Sequence, residues 1–334
     1  MQKVLVSIGR KTNGIGGMQR LQADLDRALE SVSDIHYEII RPFGTLLDPT
    51  FVFRALASCR GATVHLGDAS LCFLIPMLRR CGARRIVATA CGLDIVYPNF
   101  LYQRMIRSFL PRADHVIAIS RATAAKAAHA GVHPQKISVI PCGIWPEDLE
   151  DSSGMGLVSV ARLVPRKGIA WFLEHVFPLI HQEYPNLHWT IVGDGPERKK
   201  LERIRSRLGF QKSVSILGRI DEARKHQVLK QNSIFLMPNI AIPHNMEGFG
   251  IACIEASAKG LSVTAARLEG IQDAVLEGET GCFFESGNPQ DAGNVVLGLL
   301  KNPLKPTDVI RITGEKFSWE RLVPRYLDIF FPAT

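Results

Sequence analysis

At 334 residues, with 46% hydrophobic and 22% charged positions, the chain is long enough for two domains of ordinary size, and it has no apolar run near the roughly 20 residues that span a bilayer. Its seven cysteines (59, 72, 81, 91, 142, 253 and 282) are scattered, with neither metal-ligand spacing nor a disulfide framework, which points to a reducing cytoplasm. The net charge of +8 is uneven: residues 1–145 hold 18 Lys+Arg against 9 Asp+Glu, the rest 22 against 23, and with only 7% aromatic residues and no recognition motif this basic half reads as a face for anions other than nucleic acid.

The start, MQKVLVSIG, is too short for a signal peptide and lacks a cleavage pattern. Val4–Ile8 reads as a strand. Gly9-Arg10-Lys11-Thr12-Asn13-Gly14-Ile15-Gly16-Gly17 follows as a glycine loop, and Met18–Leu29 as a helix. Strand, glycine loop and helix form the first unit of a parallel α/β sheet, and the loop is not the GxGxxG of a dinucleotide site. The alternation continues with strands at 35–40, 62–66, 86–90, 116–119 and 137–140. Helices are expected at 69–80, 100–110 and 121–130. Ala90-Cys91-Gly92-Leu93-Asp94 and Ser120-Arg121 fall on the same carboxyl edge as the glycine loop. Arginines cluster at 79, 80, 84 and 85 and again at 104, 107 and 112, a pattern that suits anionic headgroups or an anionic acceptor.

Pro141–Gly156, rich in proline, glycine, serine and acids, reads as a linker, and the alternation then restarts. Two similar α/β halves imply a cleft. After the first strand of the second half comes Arg162-Leu163-Val164-Pro165-Arg166-Lys167-Gly168. Arg162 as a planar fork and Lys167 as a point charge can converge on a diphosphate. Val192-Gly193-Asp194-Gly195-Pro196 is a tight turn, with glycine allowing close ligand approach. A helix is expected over 169–183 and strands at 234–237, 263–265 and 281–284. An amphipathic helix is expected to close the chain over 317–330.

Residues 245–260, NMEGFGIACIEASAKG, concentrate the chemistry. Gly248-Phe249-Gly250 open a helix beginning at Ile251, and a glycine-rich helix start offers free N–H groups to phosphate. Glu247 before the glycines and Glu255 one turn into the helix cannot bind phosphate, but they can accept hydrogen bonds from hydroxyls. A site that wants phosphates and hydroxyls together suggests a nucleotide sugar.

The ordered set VARLVPRKG (160–168), IVGDGPE (191–197), MEGFGIACIEASAKG (246–260) and LEG-x-x-DAV (268–275) resembles the retaining nucleotide-sugar glycosyltransferases of family 4. The first half joins the resemblance through its glycine loop, GLD (92–94) and AISRAT (118–123). The resemblance implies an α/β chain of GT-B architecture, two facing Rossmann-like domains. Residues 1–145 would form the acceptor-side domain and 146–316 the donor domain, with a last helix at about 317–334 packing back on the first. It assigns Arg162 and Lys167 to the donor diphosphate, Glu255 to the ribose and Glu247 to the donor sugar. Gly248, Phe249, Gly250 and Ile251 fall to sugar and phosphate, and Gly16 and Gly17 to phosphate, with Gly193 beside them. Cys91, Asp94 and Arg121 fall on the acceptor or sugar side. Many relatives carry histidine where this chain has Cys91, and a thiol is a weaker hydrogen-bond donor.

No DxD-type carboxylate pair stands in a loop, so Arg162, Lys167 and loop amides would neutralise the leaving diphosphate without a metal or cofactor. The expected activity is retaining transfer of a sugar to a glycan or lipid-linked acceptor in bacterial surface polysaccharide or glycolipid synthesis. The place would be the cytoplasm or the inner membrane face. Alternatives on the same architecture are a sugar-nucleotide epimerase, a glycosyl phosphorylase or a non-catalytic partner protein.

Overall fold

A computed structural model of the chain describes residues 3–10, 16–42, 48–145 and 154–333. The centre of the expected glycine loop (11–15) and of the expected linker (146–153) lies outside the described residues. The chain divides into two compact units. One comprises Met1–Gly143, His244–Phe249 and Phe317–Thr334, and the other Ile144–Pro243 and Gly250–Lys316.

The first unit is built on β1 (Lys3–Ile8), β2 (Ile35–Ile40), β3 (Thr63–Leu66), β4 (Arg85–Ala90), β5 (His115–Ala118) and β6 (Ile137–Val139). All pair in parallel, in the order β2-β1-β3-β4-β5-β6. The central strands β3, β4 and β5 are buried almost throughout because helices cover both faces of the sheet. Val6, Ile8, Val64, Leu66, Ile86 and Val116 form a dry core with Phe51, Leu78, Ile106 and Leu110 from the helices. The strand order reverses between β1 and β3, which makes their carboxyl ends the switch point of this sheet.

The second unit repeats the plan with β7 (Leu157–Val160), β8 (Trp189–Val192), β9 (Val214–Gly218), β10 (Ile234–Met237), β11 (Ser262–Ala266) and β12 (Gly281–Phe284). The order is β12-β11-β10-β7-β8-β9, again all parallel, and the reversal lies between β7 and β10. Trp189 is fully buried and meets Phe172 edge-on at 5.3 Å. Its indole N–H donates to Ser159 Oγ at 3.3 Å, and that hydroxyl donates to the Leu236 carbonyl at 2.9 Å, so the polar end of the side chain is satisfied inside the core.

The helix Trp319–Phe330 buries Trp319, Leu322, Tyr326 and Phe330, a stripe at helical spacing. Its end is pinned to the first sheet: Thr63 Oγ1 donates to the Phe330 carbonyl at 3.2 Å and Arg85 Nε to the Ile329 carbonyl at 2.8 Å. Several helices differ from the sequence expectation, and the twelve-residue helix Pro306–Phe317 was not expected from the sequence. The helix expected over 169–183 breaks at Val176 into Ile169–His175 and Phe177–Glu183, because Pro178 has no N–H to continue it. Residues 69–80 begin as a tighter 3-10 turn, Ala69–Leu74, before the α-helix Ile75–Arg80. A helix at Pro49–Ser58, capped by Asp48 accepting from Thr50 N–H at 2.9 Å, went unread.

Candidate functional site

In the second unit, three loops at the carboxyl ends of β7, β8 and β10 meet backbone to backbone. Ala161 N–H donates to the Val192 carbonyl at 3.0 Å, and Leu163 N–H to the Asp194 carbonyl at 2.9 Å. The approach is so close that a Cβ at Gly193 (φ +130°) would lie 1.8 Å from the Ala161 carbonyl oxygen, and one at Gly168 (φ +65°) 1.7 Å from that of Pro238. Glycine at 193 is therefore required by the chain's own packing. Held by these contacts, the 3-10 turn Pro165–Lys167 carries Arg166 and Lys167, 8% and 9% exposed, while Arg162 at its entrance is exposed. An ammonium and a guanidinium kept this dry sit where the strand order reverses.

Glu255 lies on the helix Ile251–Ser257, which follows Gly250 in a left-handed backbone (φ +96°). Lys225, from the helix Glu222–Lys230, places its Nζ 3.2 Å from Glu255 and 2.7 Å from Glu222. Lys225 escaped the sequence reading, since only its local pairing with Glu222 is visible in the spacing. Among the described residues, His244 (φ +58°) and Glu269 (φ +48°) are the non-glycine residues with left-handed backbone. They stand in the loops after β10 and β11, and each costs of order 1 kcal/mol of local strain.

His244–Phe249 belongs to the first unit, although the sequence groups it with the second half. Phe249 is buried and meets Phe317 edge-on at 6.0 Å, so its side chain is an anchor and only its backbone faces the loop. A Cβ at Gly248 would stand 1.9 Å from the Cys91 carbonyl oxygen, and one at Gly92 (φ +108°) 2.9 Å from the Gly248 Cα. Thr123 Oγ1 donates to the Gly248 carbonyl at 3.3 Å, and Ser120 accepts from Thr123 N–H at 3.0 Å as the cap of the helix Arg121–His129. Glu247 is thereby fixed beside the carboxyl ends of β4 and β5, and Arg121 is exposed at the first position of its helix. Gly16, an extended residue (φ 179°), and Gly17 are exposed where the helix Gly17–Glu30 begins.

Cys91 is 5% exposed, and burial, then Asp94 and Asp68, push its thiol well up, so it remains S–H. Asp94 is turned inward: one carboxylate oxygen accepts from Cys91 N–H at 2.9 Å and the other from Ala69 N–H at 2.8 Å. Arg10 pairs with Asp68 at 2.8 Å and donates to Ser70 Oγ at 2.8 Å, joining the loops after β1 and β3. Asp94 thus acts first as a positioning residue for the Cys91 loop. Burial, then Asp68, raises its pKa to about 6, against the opposing pull of the two amides and Arg10.

A carboxyl that holds its proton more tightly folded than unfolded favours the folded state at low pH, and that advantage fades as pH rises through the folded value. The difference in stability between this chain and Asp94→Asn is therefore expected to shift against the unaltered chain between about pH 4 and about pH 7, by roughly 3 kcal/mol for two pKa units. Urea midpoints of both proteins at the two pH values test this, and a constant difference would contradict it.

Comparison with known proteins follows the same division. The family described as "Glycosyl transferases group 1" matches residues 149–316, and "Glycosyltransferase Family 4" matches residues 17–148. A GDP-mannose-dependent alpha-(1-6)-phosphatidylinositol monomannoside mannosyltransferase of Mycolicibacterium smegmatis is 31% identical over 80% of this chain and 76% of its own. The gpi3 subunit of the phosphatidylinositol N-acetylglucosaminyltransferase of Schizosaccharomyces pombe is 26% identical over 80% of this chain and 60% of its own. Anabaena HepE in complex with UDP and glucose superposes with a TM-score of 0.79 at 18% identity over all of both chains. A sucrose-phosphate synthase of Thermosynechococcus elongatus superposes with a TM-score of 0.80 at 18% identity over 98% of each chain. The fold is GT-B, with two Rossmann-like units.

Proposed function

Given that the chain belongs to glycosyltransferase family 4, we propose that it transfers a sugar from a nucleotide-diphosphate donor to a lipid-linked acceptor, with retention of configuration and without a metal. In this reading Arg162 and Lys167 hold the donor diphosphate, Glu255 the ribose hydroxyls and Glu247 a hydroxyl of the sugar. The amides of Gly248, Phe249, Gly250 and Ile251, with the chain at Gly16, Gly17 and Gly193, face sugar and phosphate. The bond from the anomeric carbon to the diphosphate breaks, and the acceptor oxygen bonds to that carbon on the same face. The acceptor's proton passes to a diphosphate oxygen, and a nucleoside diphosphate leaves. The charge that grows on the leaving group is met by Arg162 and Lys167, so a divalent ion has no task left to do. Lys225 would align Glu255 for the ribose.

One observation carries the reading: a nearly dry Lys167, locked by backbone contacts at Gly168 and Gly193, lies at the switch point of the sheet in the unit that also carries Glu255. The acceptor class rests on the relatives, whose names specify phosphatidylinositol lipids but two different sugars. An anionic lipid acceptor also suits the basic first half and a place at the inner face of a bacterial membrane. Among the described residues no helix is long and apolar enough to cross a membrane.

A panel of nucleotide sugars scored by thermal shift is the direct test. The true donor, at about 100 times its Kd, stabilises the folded state by roughly 2.7 kcal/mol. Transfer from that donor to a phosphatidylinositol-type lipid should proceed at an unchanged rate in EDTA, and the new linkage should keep the donor's anomeric configuration by NMR. Loss of activity in EDTA restored by a divalent ion, or an inverted product, would overturn the mechanism. Cys91 supports a second reading, a donor-binding protein without transfer. Donor binding with no transfer, unrescued by Cys91→His, would favour it.

A further inference from the structure

Among the described residues, large apolar side chains are exposed at few places, and three of them fall together: Tyr97 (58% exposed), Phe100 (78%) and Leu101 (72%). They open the helix Phe100–Phe109, whose inner face is spent on the core through Ile106, with Tyr102, Met105 and Phe109 half-buried beside it. The outer face runs from Phe100 and Leu101 to Arg104 and Arg107, and Arg112 follows just beyond, all exposed. Residues 95–113 contain no Asp or Glu. The other basic cluster is partly consumed within the fold, since Arg79 pairs with Asp114 at 2.5 Å and Arg85 donates to the Ile329 carbonyl. A block of exposed positive charge thus stands behind an apolar tip.

We propose that this face is a membrane-docking surface, in which Tyr97, Phe100 and Leu101 enter the acyl boundary of an anionic phospholipid bilayer while Arg104, Arg107 and Arg112 bind its phosphates. The proposal rests on the lipid-acceptor reading above. Charge complementarity selects the bilayer as occupant: the face offers guanidinium groups to phosphate and nothing acidic to repel it. Phe100 and Arg107 are seven residues apart, two turns and about 10 Å along the helix, so the apolar tip and the guanidinium groups share one face at successive levels.

The surface is also wired to the candidate site of its own unit. Tyr102 OH donates to the Asp94 carbonyl at 2.6 Å, and Gln103 Nε2 to the carbonyls of Ile95 at 2.7 Å and Tyr97 at 2.9 Å. Asp94 in turn holds Cys91 N–H. A helix seated in the bilayer would therefore carry the Cys91–Gly92 loop beside the headgroups from which an acceptor must come.

Flotation of the full-length protein with vesicles tests the proposal, using phosphatidylcholine alone or mixed with phosphatidylglycerol, at low and high salt. The unaltered chain should float with the anionic vesicles. Phe100→Ser/Leu101→Ser should weaken binding roughly 10- to 100-fold at either salt. Arg104→Glu/Arg107→Glu should weaken it about 10-fold or more at low salt only. Lys199→Glu/Arg203→Glu, an equal charge change on exposed residues of the second unit, should leave it unchanged. All three variants should keep their melting temperature, and their transfer to a short-chain, freely dispersed acceptor should match that of the unaltered chain. Equal binding by the two patch variants and the unaltered chain would overturn the surface while leaving the lipid-acceptor reading intact. Absence of vesicle binding by the unaltered chain would overturn it as well, and dispersed-acceptor activity would then report separately on the transfer reading.

Discussion

Alanine at Arg162 or at Lys167 is expected to lower sugar transfer by roughly 10²–10³-fold each, the usual loss when one preorganised partner of a developing anion is removed. The two losses should differ in kind. Arg162 is exposed at the loop entrance, so Arg162→Ala should leave the melting temperature alone while reducing turnover. Lys167 is almost buried on a turn whose backbone is fixed by Gly168, so Lys167→Ala should also weaken the grip on the free nucleoside diphosphate. Lys167→Arg should rescue poorly, because the site holds a point charge in a space with little room for a fork. Steady-state kinetics with the donor found by thermal shift, together with nucleoside diphosphate affinity, decide the matter. Near-normal rates in both alanine variants would remove the diphosphate assignment.

Gly248→Ala should be nearly as damaging, by another route. The added methyl would lie 1.9 Å from the Cys91 carbonyl oxygen, and because that neighbour is backbone, the loop itself must move. The shift would carry Glu247 with it and strain the Thr123 contact to the Gly248 carbonyl. A displacement near 1 Å at a reacting centre costs on the order of 10²-fold in rate, and overpacking costs about 1–3 kcal/mol of stability. Comparison with Gly298→Ala separates this effect from a general dislike of larger residues: at 298, on the helix Pro289–Lys301, an added Cβ meets nothing within 4 Å. A Gly248→Ala enzyme of normal rate and stability would show that the loop adapts freely.

The strands were legible because burial writes itself as short runs of β-branched and other apolar residues, and each of the nine strands placed individually from the sequence begins and ends within two residues of its observed bounds. Helices were legible except where a proline near a start, as at Pro178, split one, or where the apolar period is weak, as in Pro49–Ser58 and Pro306–Phe317. The candidate residues were found by chemical type and by place at a strand end. Their local circumstances were not legible, since these depend on partners distant in sequence. Glycine at 193 is explained by the carbonyl of Ala161 and glycine at 248 by that of Cys91. Asp94 looked like a polar group available to a sugar, yet both its oxygens are committed to backbone amides. Lys225 beside Glu255 joins two helices 30 positions apart, a relation that no spacing rule reveals.

The first unit draws on three separate stretches of chain, and its last contribution arrives at Phe330. A ribosome making this protein releases residues 1–143 long before the aromatic side chains that belong against them. Trp319 packs on Gly143, so closely that a Cβ there would lie 2.6 Å from the indole, and Tyr326 and Phe330 are as deeply buried. The second unit needs nothing beyond Lys316 and can close first. Synthesis from the amino end thus meets maturation from the carboxyl end, and the nascent first unit must wait with an open apolar seam, the kind of surface that chaperones recognise. A fragment ending at residue 143 would carry that seam permanently, so its poor solubility would be a property of unfinished assembly.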